Sequence, residues 1–241
     1  MGFTIQRSAI QRSAIQRLVI GSAMAATLLW SPSPMGAQGV VAGRVTIQER
    51  PGEPTTDLGN TVIYLVRTDS ASPRVRPTRA SIAMNGRAFV PRLRVVTPGS
   101  RVDFPNQDPF SHNIFSTTPG AVFDLGLYPS GRSGDAIFRR NGAYPVYCNI
   151  HPRMTAYVVV TPTPWFTQPG NDGRWSIADV PAGTYQLHIW HERAPEAVQE
   201  LVLTAGGRSG ADVQLDARGF RFAQHKNKFG REYERTGRDR Y

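Results

Sequence analysis

Short β-favouring runs, broken by turn residues, constrain the fold of this chain more than any other feature. From Val40 onward, segments rich in Val, Ile, Tyr and Phe, such as TVIYLV, GAYPVYC and TYQLHIW, alternate with clusters of Gly, Pro, Asn and Asp. Such runs are typical of an all-β fold built from one or two β-sandwiches. The chain has 241 residues, 40% of them hydrophobic, which is enough to bury such cores.

The N-terminal segment has a different character. Arg7, Arg12 and Arg17 precede an uncharged apolar run, Leu18 to Trp30, and small residues follow it. This order is typical of an export signal, and the run is shorter than the roughly 20 residues that span a bilayer. We therefore predict a signal peptide over residues 1–37, cleaved near Ala37, and a periplasmic or secreted mature protein. A buried core helix fits the order less well.

The positive charge is concentrated near the C-terminus. The net charge is +10, and residues 218–241 hold eight basic residues against three acidic ones. We predict that residues 217–241 form a basic tail, mobile or loosely docked, that is attracted to an anionic partner or membrane surface. No nucleic-acid-binding motif accompanies this charge in a chain that carries an export signal, so nucleic acid is not an expected partner.

The sequence contains a single cysteine, Cys148, at the end of the predicted strand GAYPVYC. Tyr144, Val146 and Cys148 share one face of that strand, which directs the thiol inward. His151 and Met154 follow within six residues, and a tight turn would bring both back towards the sulfur. A thiolate, an imidazole and a thioether therefore converge, as the ligands of a metal site do.

A second imidazole would complete this set of ligands. His112, in a loop after the predicted strand SRVDF, is its natural source. Two neutral imidazoles and a thiolate with a weak axial thioether accept both Cu(I) and Cu(II), so we predict one copper ion at His112, Cys148, His151 and Met154. Zinc stays open, although methionine is a poor zinc ligand. An inert buried thiol and a Cys-His nucleophile are weaker interpretations.

These residues stand in a longer pattern. The segments VPRLRVVTPGSRVDFPNQDPFSHNIFS and GAYPVYCNIHPRM resemble the cupredoxins, small blue-copper β-sandwiches such as plastocyanin and amicyanin, and the Cys-to-His spacing is most similar to amicyanin. The resemblance spans residues 81–160 and implies a Greek-key sandwich, the same four ligands, and electron transfer. It further implies that the Asn113 side chain ties the two ligand loops together and that electrons leave through the edge of His151.

A second resemblance lies on either side of the first. The segment GNDGRWSIADVPAGTYQLHIWHE is similar to the carboxypeptidase-regulatory or transthyretin-like β-sandwich. We predict a split module, residues 38–70 and 161–216, with the cupredoxin domain, residues 80–160, inserted into it. The order resembles exported proteins labelled "methylamine utilization protein". His188 and His191, three apart on a predicted strand, should point to opposite faces and so could share a metal ion only if the strand contained a bulge.

Together these patterns predict an exported type 1 copper protein that carries single electrons and is not an enzyme. Arg153, at the expected exit for electrons, favours a redox partner with an acidic docking surface. Two alternatives stay open: a copper-binding or delivery module that uses the same residues, and a carbohydrate- or protein-binding β-sandwich with a degenerate metal domain. The sequence lacks the paired His-x-His motifs of a multicopper oxidase.

Overall fold

The computed structural model describes residues 1–2 and 38–233, so nearly all of the predicted signal peptide lies outside the described residues. The fold is all-β, as predicted, with one 3-10 turn at Leu58–Asn60. No helix in the described part of the chain is long and apolar enough to span a bilayer. The strands are β1 Gly39–Gln48, β2 Val62–Arg67, β3 Arg79–Ser81, β4 Ala83–Asn85, β5 Ala88–Val90, β6 Leu93–Val96, β7 Ser100–Pro105, β8 His112–Ser116, β9 Phe123–Tyr128, β10 Ser133–Phe138, β11 Gly142–Cys148, β12 Thr155–Val160, β13 Phe166–Thr167, β14 Arg174–Val180, β15 Gly183–His191, β16 Ala194–Leu203, β17 Arg208–Gly210 and β18 Val213–Asp216.

The first two strands pair with the strands that follow residue 160. Strand β1 pairs antiparallel with β14 and parallel with β17 and β18, while the facing sheet has the order β13-β2-β15-β16. Apolar side chains from both sheets, including those of Val41, Leu65, Trp175 and Tyr185, form one buried core. We call β1, β2 and β13 to β18 the flanking sandwich. The chain between β2 and β13 is an insertion in it.

Strands β3 to β12 form a second β-sandwich, which we call the inserted sandwich. One sheet has the order β10-β7-β3, the other β6-β12-β11-β8-β9, and β4 and β5 form a hairpin. Alternate residues of the central strands point inward, and Phe104, Phe138, Val146 and Val158 are completely or almost completely buried in its core. Strand β11, which ends at Cys148, lies between β8 and β12 and is therefore held on both edges.

The two sandwiches contact each other through one sheet of each. The rings of Tyr157 on β12 and Trp190 on β15 lie 5.3 Å apart. Beside them the Arg92 guanidinium donates two hydrogen bonds, of 2.8 and 2.7 Å, to the carboxylate of Glu192. The sheet that carries the cysteine strand is thus backed by the flanking sandwich.

The described part of the C-terminal segment is docked, where the sequence allowed either a mobile or a loosely docked tail. Ala217 still belongs to the core of the flanking sandwich, whereas residues 222–233 contact the inserted sandwich, where the Lys228 amide donates to the Asn149 side chain and the Tyr233 hydroxyl donates to the carbonyl of Cys148. The ring of His225 stacks on that of Tyr147. Aromatic side chains spaced among the Arg and Gly residues supply the apolar contacts that charge alone could not.

Candidate metal centre

The cysteine lies where the sequence predicted, at the inward end of its strand. Tyr144, Val146 and Cys148 are all buried, and Cys148 and Val146 are 0% exposed. After Cys148 the chain turns sharply: the amide of Met154 donates to the carbonyl of His151 at 3.0 Å, and that of Cys148 to the carbonyl of Met154 at 3.2 Å. This turn brings His151 back over the sulfur.

His112 reaches the cysteine through strand pairing. It is the first residue of β8, and not part of a loop as the sequence suggested. Strand β8 pairs antiparallel with β11, placing Ile114 opposite Cys148. The register therefore holds the His112 ring, which is 0% exposed, beside the thiol. Because His112 is part of a paired strand and not of a loop, its imidazole is held more firmly than the sequence suggested.

Three of the four predicted ligands come together. His112 Nδ1 lies 3.4 Å from Cys148 Sγ, and His151 Nδ1 lies 3.5 Å from the same sulfur. The two imidazole rings are 4.9 Å apart between centroids, and the three ligand atoms lie within 4.8 Å of one another. Within residues 1–2 and 38–233 this is the one group of three or more His, Cys, Asp or Glu side chains close enough to hold an ion.

Asp108 orients the first imidazole, and the sequence analysis missed it. Its Oδ2 lies 2.8 Å from His112 Nε2, and its two oxygens accept the backbone N–H groups of Gly86 and Arg87 at 2.6 and 3.1 Å. If Nε2 carries the proton that it shares with the carboxylate, Nδ1 keeps its lone pair towards the sulfur, the arrangement found in carboxylate–histidine–metal triads. Burial opposes ionisation of Asp108, but these hydrogen bonds prevail and lower its pKa.

The thiol is in an environment that favours the protonated form until a cation binds. Burial raises the pKa of Cys148, and hydrogen bonds from the backbone amides of Ile150, Asn113 and His151 offset part of this effect. The same amides would stabilise a thiolate once its charge is balanced. Metal binding should therefore release a proton from this residue.

His151 differs from His112 in being close to solvent. It is partly buried, and desolvation, reinforced by the nearby His112 and Arg87, lowers its pKa and keeps it neutral at pH 7. It lines a cleft of about 570 Å³ whose walls include Arg87, Arg153 and Gln224. The ring of Phe110 lies 5.2 Å from His112 and 5.7 Å from His151, which shields both imidazoles on one side.

Met154 and Asn113 have less direct roles in the geometry. Met154 is 3% exposed and packs in the same core cluster as Cys148, so its assignment as the fourth ligand stays a prediction. The Asn113 side chain donates to Asp124 at 2.6 Å and does not bridge the ligand loops as expected. The loops are joined by backbone, because the Asn149 amide donates to the Asn113 carbonyl at 2.8 Å.

The histidines of the flanking sandwich have protein partners. His188 stacks on Tyr64, with centroids 4.7 Å apart, and its Nδ1 lies 3.0 Å from Glu196 Oε1. His191 is buried on the opposite face of β15, where its Nδ1 accepts the backbone amide of Arg193 at 3.3 Å. The expected opposite orientation is confirmed, and the two rings do not form a shared site.

Neither a protein-family model nor a curated protein matches this chain. Among solved structures it is similar to a purple cupredoxin from Nitrosopumilus maritimus, with 26% identity over 34% of this chain and 99% of that one, at a TM-score of 0.31. It is also similar to amicyanin from Paracoccus versutus, with 16% identity over 41% of this chain and 98% of that one, at a TM-score of 0.32. These TM-scores are low, so the assignment of the centre depends on the geometry of this chain.

Proposed function

We propose that this protein is an exported type 1 copper protein that carries single electrons. The observation that carries the proposal is the pair of imidazole Nδ1 atoms, from His112 and His151, at 3.4 and 3.5 Å from the thiol of Cys148. Export is supported by the predicted signal peptide. The flanking sandwich would then be a carboxypeptidase-regulatory-like module that supports the copper domain.

The donor set supports copper over other metals. A thiolate and two neutral imidazoles in a buried site suit a copper ion in either oxidation state, and Met154 would supply a weak thioether ligand. Copper held there would supply reversible one-electron chemistry. Zinc is less suitable, because its usual fourth ligand would be a further thiolate, imidazole, carboxylate or water.

The protein's own residues would keep this site rigid. His112 is fixed by β8 and by Asp108, and Cys148 by β11, so two ligands are attached to paired strands. Phe110 and the apolar core exclude water from the thiol and from His112. Because the ligands stand close to one another before any ion binds, little movement should accompany a change of oxidation state.

Electrons would leave through the edge of His151. This imidazole lines the open cleft, whereas the His112 ring is fully buried. Arg87 and Arg153 flank the cleft, and Ile150, 46% exposed, adds an apolar contact. A partner with an acidic docking surface around a small apolar patch would complement this rim, and the positive charge would speed its approach.

Titration of the purified mature protein with Cu(II) tests the proposal. We expect an intense blue or green thiolate-to-copper absorption that is lost in Cys148→Ala and kept in His188→Ala, which removes an imidazole of the flanking sandwich. An oxidised copper complex without this colour would contradict a type 1 site.

Voltammetry separates a carrier from a copper-delivery module that uses the same ligands. A carrier should cycle reversibly between oxidation states and retain its copper throughout. Loss of metal on reduction, or transfer of copper to an acceptor protein, would favour delivery. A pull-down with polysaccharides tests the third alternative, a carbohydrate-binding sandwich.

A further inference from the structure

Residues 222–233, which we call the strap, lie against the segments that carry the candidate ligands. Strand β18 of the flanking sandwich ends at Asp216, and the chain then returns to the inserted sandwich. The strap itself contains no strand. The cupredoxin resemblance, residues 81–160, does not include it. The strap is therefore a feature that the resemblance does not account for.

The centre of the strap is an aromatic contact on the cysteine strand. The His225 ring stacks on Tyr147, with centroids 4.4 Å apart and planes 27° apart, and lies 6.0 Å from the ring of Phe115. Tyr233 packs edge-on against the other side of His225 at 5.5 Å, and its hydroxyl donates to the carbonyl of Cys148 at 3.2 Å. The residue that carries the thiol is thus hydrogen-bonded to the strap.

A second contact joins the strap to both ligand-bearing segments. The backbone amide of Lys228 donates at 2.9 Å to the side chain of Asn149, the residue that follows Cys148. Its ammonium group lies 2.6 Å from the carboxylate of Asp124, the same carboxylate that accepts the Asn113 side chain. Lys228 therefore links the turn after Cys148 to the residue after His112.

A third contact lies at the cleft. The guanidinium of Arg153 lies 6.0 Å from the centre of the Phe222 ring, and Gln224 lines the cleft beside His151. The strap thus contacts the ligand loop, residues 148–154, near both of its ends. Within this loop the amide of Met154 donates to His151, that of Cys148 donates to Met154, and the amides of Ile150 and His151 donate to the Cys148 sulfur. A short turn held in this way would open easily without outside support.

We propose that the strap positions the ligand loop, holding residues 148–154 in the ligand geometry before metal binds and slowing metal loss afterwards. The second half of this statement rests on the proposed copper function. His225, Lys228 and Tyr233 act through the residues they contact and are positioning residues. The strap contacts lie at Cys148 and Asn149 before His151 and at Arg153 after it, so they oppose opening of the loop that carries this imidazole.

Hydrogen exchange on the metal-free full chain tests the first half. In His225→Ala we expect the backbone amides of residues 149–151, 153 and 154 to exchange about five to ten times faster than in the wild type, because the ring that stacks on Tyr147 and supports Tyr233 is removed. Tyr233→Phe should give a smaller increase, because only one hydrogen bond is removed. Unchanged exchange in His225→Ala would overturn the proposal, whatever the protein does with copper.

Lys228→Ala and Lys226→Ala form a matched pair for the electrostatic contact. Both remove one positive charge, but Lys226 is exposed and pairs weakly with Glu232 at 3.8 Å, whereas Lys228 bonds Asp124. Lys228→Ala alone should speed exchange in residues 149–154. Equal effects of the two variants would show that net charge, and not the contact, is responsible.

Copper loss to a competing chelator tests the second half. The copper-loaded His225→Ala variant should release its metal about five to ten times faster than the wild type, in proportion to the loop opening seen by exchange. Faster exchange with an unchanged release rate would overturn the claim about metal retention. Faster exchange in a protein that forms no coloured copper complex would leave the positioning role standing and reject the copper function.

Discussion

The two sandwiches each bury histidine side chains but use them differently. In the inserted sandwich, His112 and His151 both direct an Nδ1 atom at one thiol, and the known protein partner of His112 binds the opposite nitrogen. In the flanking sandwich, the Nδ1 atoms of His188 and His191 are taken by Glu196 and by the amide of Arg193. A histidine indicates a metal site when its ring nitrogens converge with other ligands, and not merely when it is buried.

Removing one imidazole from each sandwich tests this difference most strongly. His151→Ala should abolish the coloured copper complex, because two strong ligands cannot hold the ion in a type 1 geometry. His188→Ala should leave the spectrum and the copper affinity unchanged. Absorption spectra of the two variants under equal Cu(II) provide the measurement. A colour change in His188→Ala would place part of the copper chemistry in the flanking sandwich.

His191 lies beside a group of charged side chains, Arg193, Glu49 and Asp57, and a change in this group should lower stability without a loss of metal. Arg193 donates to both oxygens of Glu49 at 2.7 Å and also bonds Asp57. Glu49→Gln should lower the free energy of unfolding by about 2 kcal/mol, because Arg193 loses one of its two carboxylate partners and keeps Asp57. Urea unfolding measures this, with the exposed Glu53→Gln as the control, expected to cost little.

The same group of charged side chains gives a pH dependence. The hydrogen bond from Arg193 lowers the pKa of Glu49 below its usual 4.5. The stabilisation that ionised Glu49 provides is therefore fully present above pH 4.5. It is lost as the pH falls through the pKa of Glu49 in the folded state, which lies below 4.5. The stability gap between wild type and Glu49→Gln should shrink in acid. A gap that widened there would rule out Glu49 as the charged partner.

Asp108 should affect metal affinity without being a ligand. Asp108→Asn removes the charge that orients His112, and we expect the copper dissociation constant to rise about 10-fold to 100-fold. The coloured complex should still form at higher copper concentration. Asp135→Asn is a suitable control, since Asp135 is in a surface pair with Arg101. If both variants bound copper equally well, the carboxylate would have no part in the site.

The smallest expected effect concerns the rim of the cleft. Arg153→Gln should slow oxidation of the copper(I) form by a small anionic oxidant such as ferricyanide about threefold, because one steering charge beside His151 is lost. Arg139→Gln removes the same charge at an exposed position of the inserted sandwich that does not line the cleft. Stopped-flow rates at low salt compare them. Equal slowing would indicate net charge, and not docking at His151.

Local patterns predicted most of the site. Alternation along GAYPVYC placed Cys148 inside, and the short offsets to His151 and Met154 required a turn that the structure contains. The same alternation separated His188 from His191. These inferences succeeded because strand periodicity depends on neighbours along the chain.

The missed features all depend on contacts between distant segments. Asp108 lies four residues before His112, but its role needs the amides of Gly86 and Arg87 from another turn. The strap was predicted as part of a mobile or loosely docked tail, because its charge is visible in the sequence and its docking site is not. Asn113 was given a bridging side chain, but Asp124, on the neighbouring strand, accepts it instead.

The insertion of one sandwich within the other has a consequence for the order of folding. The inserted sandwich forms from a continuous stretch of chain, whereas β1 and β2 must wait for β14 to β18, so their pairing closes much longer loops and should be slower. The strap follows β18 and should dock last. We expect pulse-labelling hydrogen exchange to show protection of β11 before β1, and protection of the ligand loop last. Metal would then be captured firmly only by chains whose outer domain has already closed, which couples cofactor loading to completion of the fold.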